Sequence, residues 1–337
     1  MIDSKTRIKA RRRAVENPSD VAAMFEAEWP PLNREQLVKF RRSVRRGIVM
    51  KDLRIPTYLV RRLNRFVAAM QHRGARYRKT ETWTAVAPNG QSVAFPLNDF
   101  ASTQFKSLVE KYDSFYERTL IDFVTSRIRP GEVFVDVGAN LGYVSAFIAK
   151  AGAVVFAIEI QRDLIPLIEQ VATVNDLDHL RAIHAGASSQ AGLSMMPRIE
   201  ANTGTRLEGQ PFYVNYRDPR SLIDDFVPVI TLDDAFLEAA LLPKVVKIDV
   251  EGHEIDVLKG ARGIIAAART TFVVEYHAHL LHVYRRRPSD LIDCFDLDRW
   301  SMFQLTDDGL RPLDGMDDIR PDEHDPNPKL VFVPRTA

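Results

Sequence analysis

The sequence contains a single cysteine and no long apolar run. Cys294 cannot form a disulfide within the chain, and the opening residues MIDSKTRIKARRR lack the apolar stretch that a secretory signal requires. No segment approaches the roughly 20 consecutive apolar residues that are needed to span a bilayer. We therefore expect a cytoplasmic protein without a transmembrane segment.

Net charge is also small, but the charges are unevenly distributed. The chain has 46 basic and 45 acidic residues, and hydrophobic residues make up 45% of it, enough to bury a sizeable core. Residues 1–80 hold 21 Lys and Arg against 7 Asp and Glu, whereas the rest hold 25 against 38. This asymmetry predicts a basic attachment region joined to an acidic globular body.

The basic region contains a segment with helical periodicity. Its apolar residues Leu59, Leu63, Phe66, Val67 and Met70 are interspersed with arginines, which predicts a basic amphipathic helix. Such a helix can contact an anionic surface, either a membrane or a nucleic acid. It can also pack on the main domain with its arginines in solvent, and we favour this interpretation because a core-facing stripe is the commonest origin of the spacing.

The remaining pattern predicts an α/β protein. We expect a basic helical region at 1–80, a β-hairpin segment at 81–105 with its turn at Asn89-Gly90, and the main domain at 106–337. In the main domain, predicted strands (133–137, 154–160, 180–184, 227–230, 245–249, 272–275) alternate with predicted helices (115–128, 142–150, 164–174, 232–240, 254–268). This order indicates a Rossmann-like, doubly wound and mostly parallel sheet. Segments 301–306 and 329–334 are expected to form an antiparallel hairpin at one edge.

The most informative motif is V-D-V-G-A-N-L-G at 135–142, between a predicted strand and a predicted helix. Ligands of doubly wound sheets bind beyond the carboxyl end of such a strand, where a tight turn at Gly138 and backbone N–H groups can meet a carboxylate or phosphate. Asn140 and Tyr143 stand where the dinucleotide fingerprint has glycines. These side chains argue against a pyrophosphate and suit a ligand with an amino-acid end, such as S-adenosylmethionine.

An acidic residue ends the next predicted strand. Glu159 follows Asp136 by 23 residues, about the spacing at which a carboxylate meets ribose hydroxyls in these folds. The alternative is an ordinary solvated carboxylate at a strand end. The preceding turn favours the ribose interpretation.

Two further motifs follow in order, T-L-D-D at 231–234 and K-I-D-V-E-G-H-E at 247–254, the second followed by V-L-K-G-A. With V-D-V-G-A-N-L-G, they make residues 112–275 resemble the FkbM-type S-adenosylmethionine-dependent methyltransferases. The resemblance implies a Rossmann-like fold and methyl transfer from S-adenosylmethionine, often to a hydroxyl of a sugar or polyketide. It does not extend to the first 80 residues.

The resemblance also implies roles for individual residues. It places the methionine part of the cofactor at Asp136 and at the turn, and the ribose at Glu159. Glu117, in a Tyr116-Glu117 pair before the first strand of the domain, is expected on the cofactor side as well. The turn residues expected at the cofactor are Gly138, Ala139, Asn140 and Gly142.

Catalytic groups are expected at the end of the fourth parallel strand. Asp249, Glu251, His253 and Glu254 follow one another closely, and His253, with an ordinary pKa of about 6.5, can act as a general base toward an alcohol. Glu251 and Glu254 can instead be acidic residues at a helix N-terminus, where they oppose the helix dipole. The family motif favours catalysis for Asp249 and Glu251.

The next strand is followed by two histidines. If that strand continues, alternation places Glu275, His277 and His279 on one face, and with Asp249 they make a divalent-metal site conceivable. Because an H-x-H pair is common by chance, we expect no metal and favour His277 as a base or acceptor-orienting group.

Two segments have other expected roles. T-L-D-D looks like a helix start with Thr231 as its N-cap, so we expect it to be structural. Segment 193–226 fits neither helix nor strand and is expected to be a binding loop or lid.

Three functions compete on this sequence. The first is an O-methyltransferase acting on a small-molecule or saccharide acceptor, with His253 or His277 as the base. The second is a nicotinamide-dependent oxidoreductase on the same fold, which Asn140 and Tyr143 oppose. The third is a non-catalytic module whose basic arm, residues 1–80, contacts an anionic surface.

Overall fold

The computed structural model describes residues 81–97, 100–111, 115–197, 224–320 and 327–335. The predicted basic helix and residues 198–223 of the predicted binding loop lie outside the described residues. Within the described ranges, no helix is long and apolar enough to cross a membrane.

The described residues form thirteen strands and seven α-helices. The strands are β1 Thr82–Val86, β2 Ser92–Pro96, β3 Val133–Val137, β4 Val154–Glu159, β5 Leu180–His184, β6 Gly186–Ala187, β7 Gly192–Pro197, β8 Asp224–Ile230, β9 Val245–Ile248, β10 Thr271–Glu275, β11 Trp300–Thr306, β12 Gly309–Leu313 and β13 Lys329–Pro334. The helices are α1 Phe100–Lys111, α2 Arg118–Arg127, α3 Tyr143–Lys150, α4 Ile165–Val174, α5 Glu254–Lys259, α6 Arg262–Ala267 and α7 Ser289–Ile292.

An eight-stranded sheet organises the domain, in the order β12-β11-β13-β10-β9-β3-β4-β5. The strands from β10 to β5 are parallel, whereas β13, β11 and β12 each pair antiparallel with their neighbours. From β3 the chain builds outward through β4 and β5 and then returns to form β9 on the other side of β3. This reversal opens a crevice at the carboxyl ends of β3 and β9, where ligands of doubly wound sheets bind.

Two cores cover the two faces of this sheet. Alternate residues of each strand point to opposite faces, so Phe134 packs in one core and Val135 in the other. Residues of α2, α3 and α4 complete the first core, and residues of α5 and α6 complete the second. Helices on both faces explain why the central strands are apolar almost throughout.

The edge of the sheet differs from the predicted hairpin. β13 lies between β10 and β11, and β12, a strand that was not predicted, forms the edge by pairing with β11. Leu330, Val331 and Phe332 are fully buried, as suits a strand with neighbours on both sides. By contrast, the hairpin of β1 and β2 around Asn89-Gly90 is confirmed.

Two predicted helices are also altered. The predicted helix 254–268 is divided into α5 and α6 at Gly260, where an added Cβ would lie 2.0 Å from the carbonyl oxygen of Ser188. The predicted helix 232–240 is a π-helical turn, Asp233–Leu237. The close backbone contact with Ser188 therefore interrupts the first predicted helix at Gly260. A short π-helical turn takes the place of the second.

The region around T-L-D-D has a structural role. Thr231 Oγ1 accepts a hydrogen bond from the backbone N–H of Asp234 at 3.0 Å. The Asp233 carboxylate accepts the N–H groups of Gly263 and Ile264 in the first turn of α6, at 2.7 and 2.9 Å. The predicted strand 227–230 lies in β8, within a separate sheet of β6, β8 and β7, so both ends of the segment predicted to be irregular are strands.

A buried ion pair joins the two strands that border the crevice. Asp136 of β3 lies opposite Lys247 of β9, and Lys247 Nζ is 3.0 Å from Asp136 Oδ1. Their side chains are 1% and 6% exposed. Ser145 of α3 donates its hydroxyl to the other Asp136 oxygen at 2.7 Å, so this buried carboxylate has partners at both oxygens.

The turns after β3 and β9 touch at Gly138. This residue has φ +80°, and an added Cβ would lie 1.8 Å from the carbonyl oxygen of Asp249. Glycine is required here both for the left-handed conformation and for the backbone contact.

We expect Lys247→Met to destabilise the fold strongly. It leaves the buried Asp136 carboxylate without its cation, a change that typically costs about 3–5 kcal/mol. Lys106→Met is the matched control, because Lys106 pairs with Glu110 on the surface of α1, where such pairs contribute about 1 kcal/mol or less. Urea unfolding of both variants measures the difference, and equal losses would contradict the importance of the buried pair.

Alanine substitutions at Gly138 and at Gly90, compared with each other, separate the cost of steric overlap from the cost of backbone strain. Gly90 also has positive φ, but no atom lies within 4 Å of its added Cβ, so Gly90→Ala should cost only the roughly 1–2 kcal/mol of a left-handed alanine. Gly138→Ala should cost about 1–3 kcal/mol more, because Cβ overlaps the Asp249 carbonyl. Urea midpoints that fall equally in both variants would exclude the predicted overlap.

Candidate active site

Four of the predicted site residues lie in or just after four parallel strands that end at the crevice. Asp136 lies in β3, Glu159 ends β4, Asp249 follows β9, and His277 comes two residues after β10. Parallel strands end at one edge of the sheet, which is how residues far apart in sequence meet.

The N–H groups of the turn after β3 are already used within the protein. Gly138 and Ala139 both donate to the carbonyl of Ile158, at 2.9 and 3.1 Å, and Gly142 donates to the carbonyl of Ala139 at 2.8 Å. These three N–H groups are therefore not available to an anionic ligand, whereas the expectation for the N–H groups at the start of α3 stays a prediction.

Glu159 is held in a fixed orientation beside this turn. One carboxylate oxygen accepts the N–H of Asn140 and the other that of Gln161, both at 2.8 Å. Burial raises the pKa of Glu159, although the two N–H donors favour its ionised form. Since each carboxylate oxygen can accept a second hydrogen bond, the group retains capacity for two hydroxyls of a ligand.

The two side chains that replace the fingerprint glycines have distinct roles. Asn140 adopts φ +54°, and its buried Oδ1 has no hydrogen-bond partner among the described residues. Tyr143 is buried and packs against Phe95 and Phe147, with ring centroids 5.2 and 5.1 Å away. The turn thus presents an acceptor oxygen, and the start of α3 is filled by an aromatic ring.

Asp136 contacts other protein groups below the turn after β3. Both of its oxygens have protein partners, and its partner Lys247 also lies 3.4 Å from the carbonyl oxygen of Gly138 and 3.3 Å from Asp249 Oδ2. Burial disfavours the charged ammonium of Lys247, but the carboxylates of Asp136 and Asp249 outweigh this and raise its pKa. Burial also disfavours the Asp249 carboxylate, but Lys247 and His277 hold its pKa below the usual value.

Four carboxylates surround the His277 ring, and we call them the acidic cluster: Asp249, Glu251, Glu254 and Glu275. Glu254 Oε1 lies 2.9 Å from His277 Nδ1 and also accepts the N–H of Gly252 at 2.9 Å. The other three carboxylates face Nε2, with oxygens at 4.0 Å (Asp249), 3.6 Å (Glu251) and 3.5 Å (Glu275).

The acidic cluster changes the protonation of its members. Burial disfavours a charged His277 ring, but Glu254 and the other carboxylates outweigh this and raise its pKa to about 9. Burial, together with Asp249, raises the pKa of Glu275 to about 8. At neutral pH the His277 ring is therefore a cation among carboxylates.

Glu117 reaches the same region from the residue before α2. It has φ +57°, and Lys329 of β13 lies with its Nζ 3.3 Å from Glu117 Oε1 and 3.8 Å from Glu275 Oε2. Lys329 thus connects the predicted cofactor residue to the acidic cluster.

The structure brings His277 rather than His253 to the carboxylates. His253 Nε2 lies 3.0 Å from Ser188 Oγ, and its Nδ1 lies 3.8 Å from Asp256 Oδ2. Burial lowers the pKa of His253. β10 ends at Glu275, as predicted, and a 3₁₀ helix follows. The strand does not continue to His279, which is exposed, so the alternation that would place it with His277 does not apply.

Lys247 and Lys329 were missed by the sequence reasoning. Lys247 could have been found, because a lysine two residues before Asp249 in a buried strand shares its face and needs a buried anion. Lys329 had no such signal, since its strand pairs antiparallel with β10 from far along the chain.

The comparison with protein families identifies one domain. Residues 136–298 match the Methyltransferase FkbM domain, a range that contains the end of β3, the turn, Glu159, the acidic cluster and His277.

Individual relatives are distant. Hexuronic acid methyltransferase AglP of Haloferax volcanii is 27% identical over 165 residues, which are 48% of this chain and 63% of that protein. The crystal structure of methyltransferase FkbM from Methylobacillus flagellatus is 18% identical with a TM-score of 0.40, covering 66% of this chain and 47% of the other. A putative S-adenosylmethionine-dependent methyltransferase from Streptococcus mutans is 13% identical with a TM-score of 0.39, covering 77% and 56%.

The chain thus spans less than two thirds of the length of the first two relatives. The match over residues 136–298 covers the crevice and every strand end that contributes to it. Residues 136–298, just under half of the chain, thus carry a Methyltransferase FkbM domain, and the methyl donor of this type of domain is S-adenosylmethionine.

Proposed function

We propose that this protein transfers a methyl group from S-adenosylmethionine to an oxygen atom of a saccharide or another secondary metabolite. The observation that carries the proposal is the oriented Glu159 carboxylate beside the turn after β3, at the crevice where the strand order reverses. A carboxylate with spare acceptor capacity at this position suits the two ribose hydroxyls of the donor.

The charge of the crevice also suits this donor. S-adenosylmethionine carries a sulfonium, an ammonium and a carboxylate group, with a net charge of about +1, and the turn after β3 offers the Asn140 Oδ1 acceptor while three of its N–H groups are bound to carbonyls. Six acidic side chains face three cations here: Asp136, Glu117 and the four members of the acidic cluster against Lys247, His277 and Lys329. Because the pKa of Glu275 is raised to about 8, this side chain is largely protonated at neutral pH, and five negative charges oppose three positive ones. A cationic ligand reduces this excess of negative charge.

The same features disfavour a dinucleotide. A pyrophosphate needs N–H donors and close approach of the backbone, whereas three turn N–H groups are bound to carbonyls and the Asn140 side chain stands where the fingerprint has a glycine. The nicotinamide-dependent alternative therefore has less support.

The bound donor supplies an electrophilic methyl group, so the protein mainly has to align an acceptor oxygen and exclude water. Asp249 and Glu251 are the members of the acidic cluster with most exposure, 28% and 43% of their side chains. We assign these two carboxylates to the acceptor side, where one of them can accept the hydroxyl proton as the methyl group passes from the sulfonium to the acceptor oxygen.

His277 acts in this proposal as an orienting group. Its ring is held by Glu254 at Nδ1, which directs Nε2 toward Asp249 and Glu251. His253 makes its contacts with Ser188 and Asp256 instead, so we place it outside the group that faces the acceptor.

A saccharide is the acceptor class that we favour. The relative from Haloferax volcanii is a hexuronic acid methyltransferase, and its aligned region covers about half of this chain. A hexuronic acid offers both hydroxyl and carboxylate oxygens, so both kinds of product deserve measurement.

Replacing Glu159 should weaken donor binding. We expect Glu159→Ala to lower the affinity for S-adenosylhomocysteine about 10- to 100-fold, because hydrogen bonds to a charged group contribute about 1.5–3 kcal/mol. Glu169→Ala, an exposed substitution on α4, is the matched control. Calorimetric titration measures both affinities, and an unchanged value for a folded Glu159→Ala protein would contradict the ribose assignment.

Methyl transfer can be tested directly with radiolabelled S-adenosylmethionine. We expect the full-length chain to label a hexuronic acid glycoside more than the matched neutral hexose glycoside, with label appearing only in the presence of acceptor. Mass spectrometry distinguishes a methyl ether from a methyl ester. Absence of label from every saccharide, in protein that binds S-adenosylhomocysteine, would contradict the saccharide acceptor while leaving donor binding intact.

A further inference from the structure

Three donor atoms from two neighbouring strand ends converge at the mouth of the crevice. Asp249, Glu251 and His277 each place one oxygen or nitrogen atom so that the three atoms lie within 4.8 Å of one another. Asp249 and Glu251 follow β9, and His277 follows β10. The group therefore rests on adjacent strands of the parallel sheet.

The His277 side chain is an independent indication of a ligand. It is 1% exposed, its Nδ1 is bound to Glu254, and its Nε2 faces oxygens of Asp249, Glu251 and Glu275. No residue that the structure describes forms a hydrogen bond with Nε2. Histidines that bind metals commonly have this arrangement, in which a carboxylate holds one ring nitrogen and the other nitrogen faces the ion.

The distances fit a shared ion better than direct hydrogen bonds. Nε2 lies 3.5 Å from Glu275, 3.6 Å from Glu251 and 4.0 Å from Asp249, all beyond the roughly 2.7–3.2 Å of a good N–H···O bond. Ligand atoms bound at about 2.1 Å to an octahedral ion lie roughly 3.0–4.2 Å from one another. The observed separations of Nε2 from the Asp249 and Glu251 oxygens lie in that interval.

Neighbouring cations determine which carboxylate oxygens of the acidic cluster can bind a metal ion. Lys247 lies 3.3 Å from Asp249 Oδ2, whereas Asp249 Oδ1 is the oxygen that faces His277. Glu275 is engaged by Asn327 at 3.3 Å and by Lys329 at 3.8 Å, so we leave it out of the ligand set. Two carboxylates and one imidazole remain.

We propose that Asp249, Glu251 and His277 bind a divalent cation, Mn²⁺ or Mg²⁺, and that this cation holds the acceptor oxygen. Carboxylate-rich donor sets suit these ions, and a mixed set with one imidazole favours Mn²⁺. The cation takes the place of a proton on Nε2 and offsets the excess of carboxylates. The role toward the acceptor rests on the proposed methyltransferase function, whereas the binding of the ion does not.

The proposed cation also affects which acceptor can bind. An anionic sugar such as a hexuronic acid would be repelled by the acidic cluster alone. A divalent ion can bind a carboxylate or hydroxyl oxygen directly and orient it. The proposal therefore explains how an acidic mouth can accept an acidic saccharide.

Electron paramagnetic resonance of Mn²⁺ titrated into the full-length protein tests the site without any activity measurement. We expect one saturable Mn²⁺ per chain, with affinity lowered at least about 10-fold by Asp249→Asn and by Glu251→Gln. Glu251 is the better variant for a folded control, since its side chain is 43% exposed. Glu254→Gln, which alters the support of the His277 ring, should weaken binding about 10- to 100-fold.

Asp317→Asn provides the matched control. Asp317 is exposed in the turn with Asp314 and Asp318, an acidic group without a histidine, and its replacement should leave Mn²⁺ affinity unchanged. Absence of saturable binding, or binding unaffected by Asp249→Asn and Glu251→Gln, would overturn the proposed site.

Titration with S-adenosylhomocysteine distinguishes this inference from the proposed function. Simultaneous binding of Mn²⁺ and S-adenosylhomocysteine is the expected result. Displacement of Mn²⁺ would overturn the inference, because the acidic cluster would then hold the ammonium group of the donor. Binding of S-adenosylhomocysteine without Mn²⁺ would refute the metal site alone, whereas Mn²⁺ binding without S-adenosylhomocysteine would refute the donor site alone.

Discussion

The crevice depends on one buried cation, Lys247. Its ammonium lies between Asp136 of β3 and Asp249 after β9, and it also approaches the carbonyl of Gly138. Taking these charges out of water is costly, so the arrangement is favourable only while every partner is in place. It fixes the ends of two neighbouring strands relative to each other, and the turn, Glu159 and the acidic cluster are all built on those strand ends.

The position of Lys247 also affects the charge of the crevice. With Lys247 committed to two carboxylates, the His277 ring is the cation nearest the remaining members of the acidic cluster, and Glu254 fixes its orientation from the buried side. The mouth of the crevice is left with more negative than positive charge. Both ligands that we propose, a sulfonium-containing donor and a divalent cation, are positively charged. The same excess of negative charge at the mouth of the crevice therefore favours the binding of each.

The parallel part of the fold was predictable, because its strands and helices have strong apolar patterns and follow one another in βαβ order. The edge was less predictable: the β12 sequence GLRPL contains an arginine and a proline, and the position of β13 between β10 and β11 depends on pairing over long sequence distances. At the site, motif spacing located Glu159 and Asp249. It could not show that the turn N–H groups bind Ile158, or that His277 and His253 face different partners, since both facts arise from tertiary packing.

The most direct measurement is a parallel calorimetric titration of the wild-type protein with S-adenosylhomocysteine and with a nicotinamide dinucleotide. We expect saturable one-to-one binding of S-adenosylhomocysteine and no binding of the dinucleotide, because the N–H groups of Gly138, Ala139 and Gly142 are bound to carbonyls and the crevice has an excess of carboxylates. The reverse result would contradict this expectation. Failure of both ligands at millimolar concentration, in demonstrably folded protein, would also contradict a donor site formed by this crevice.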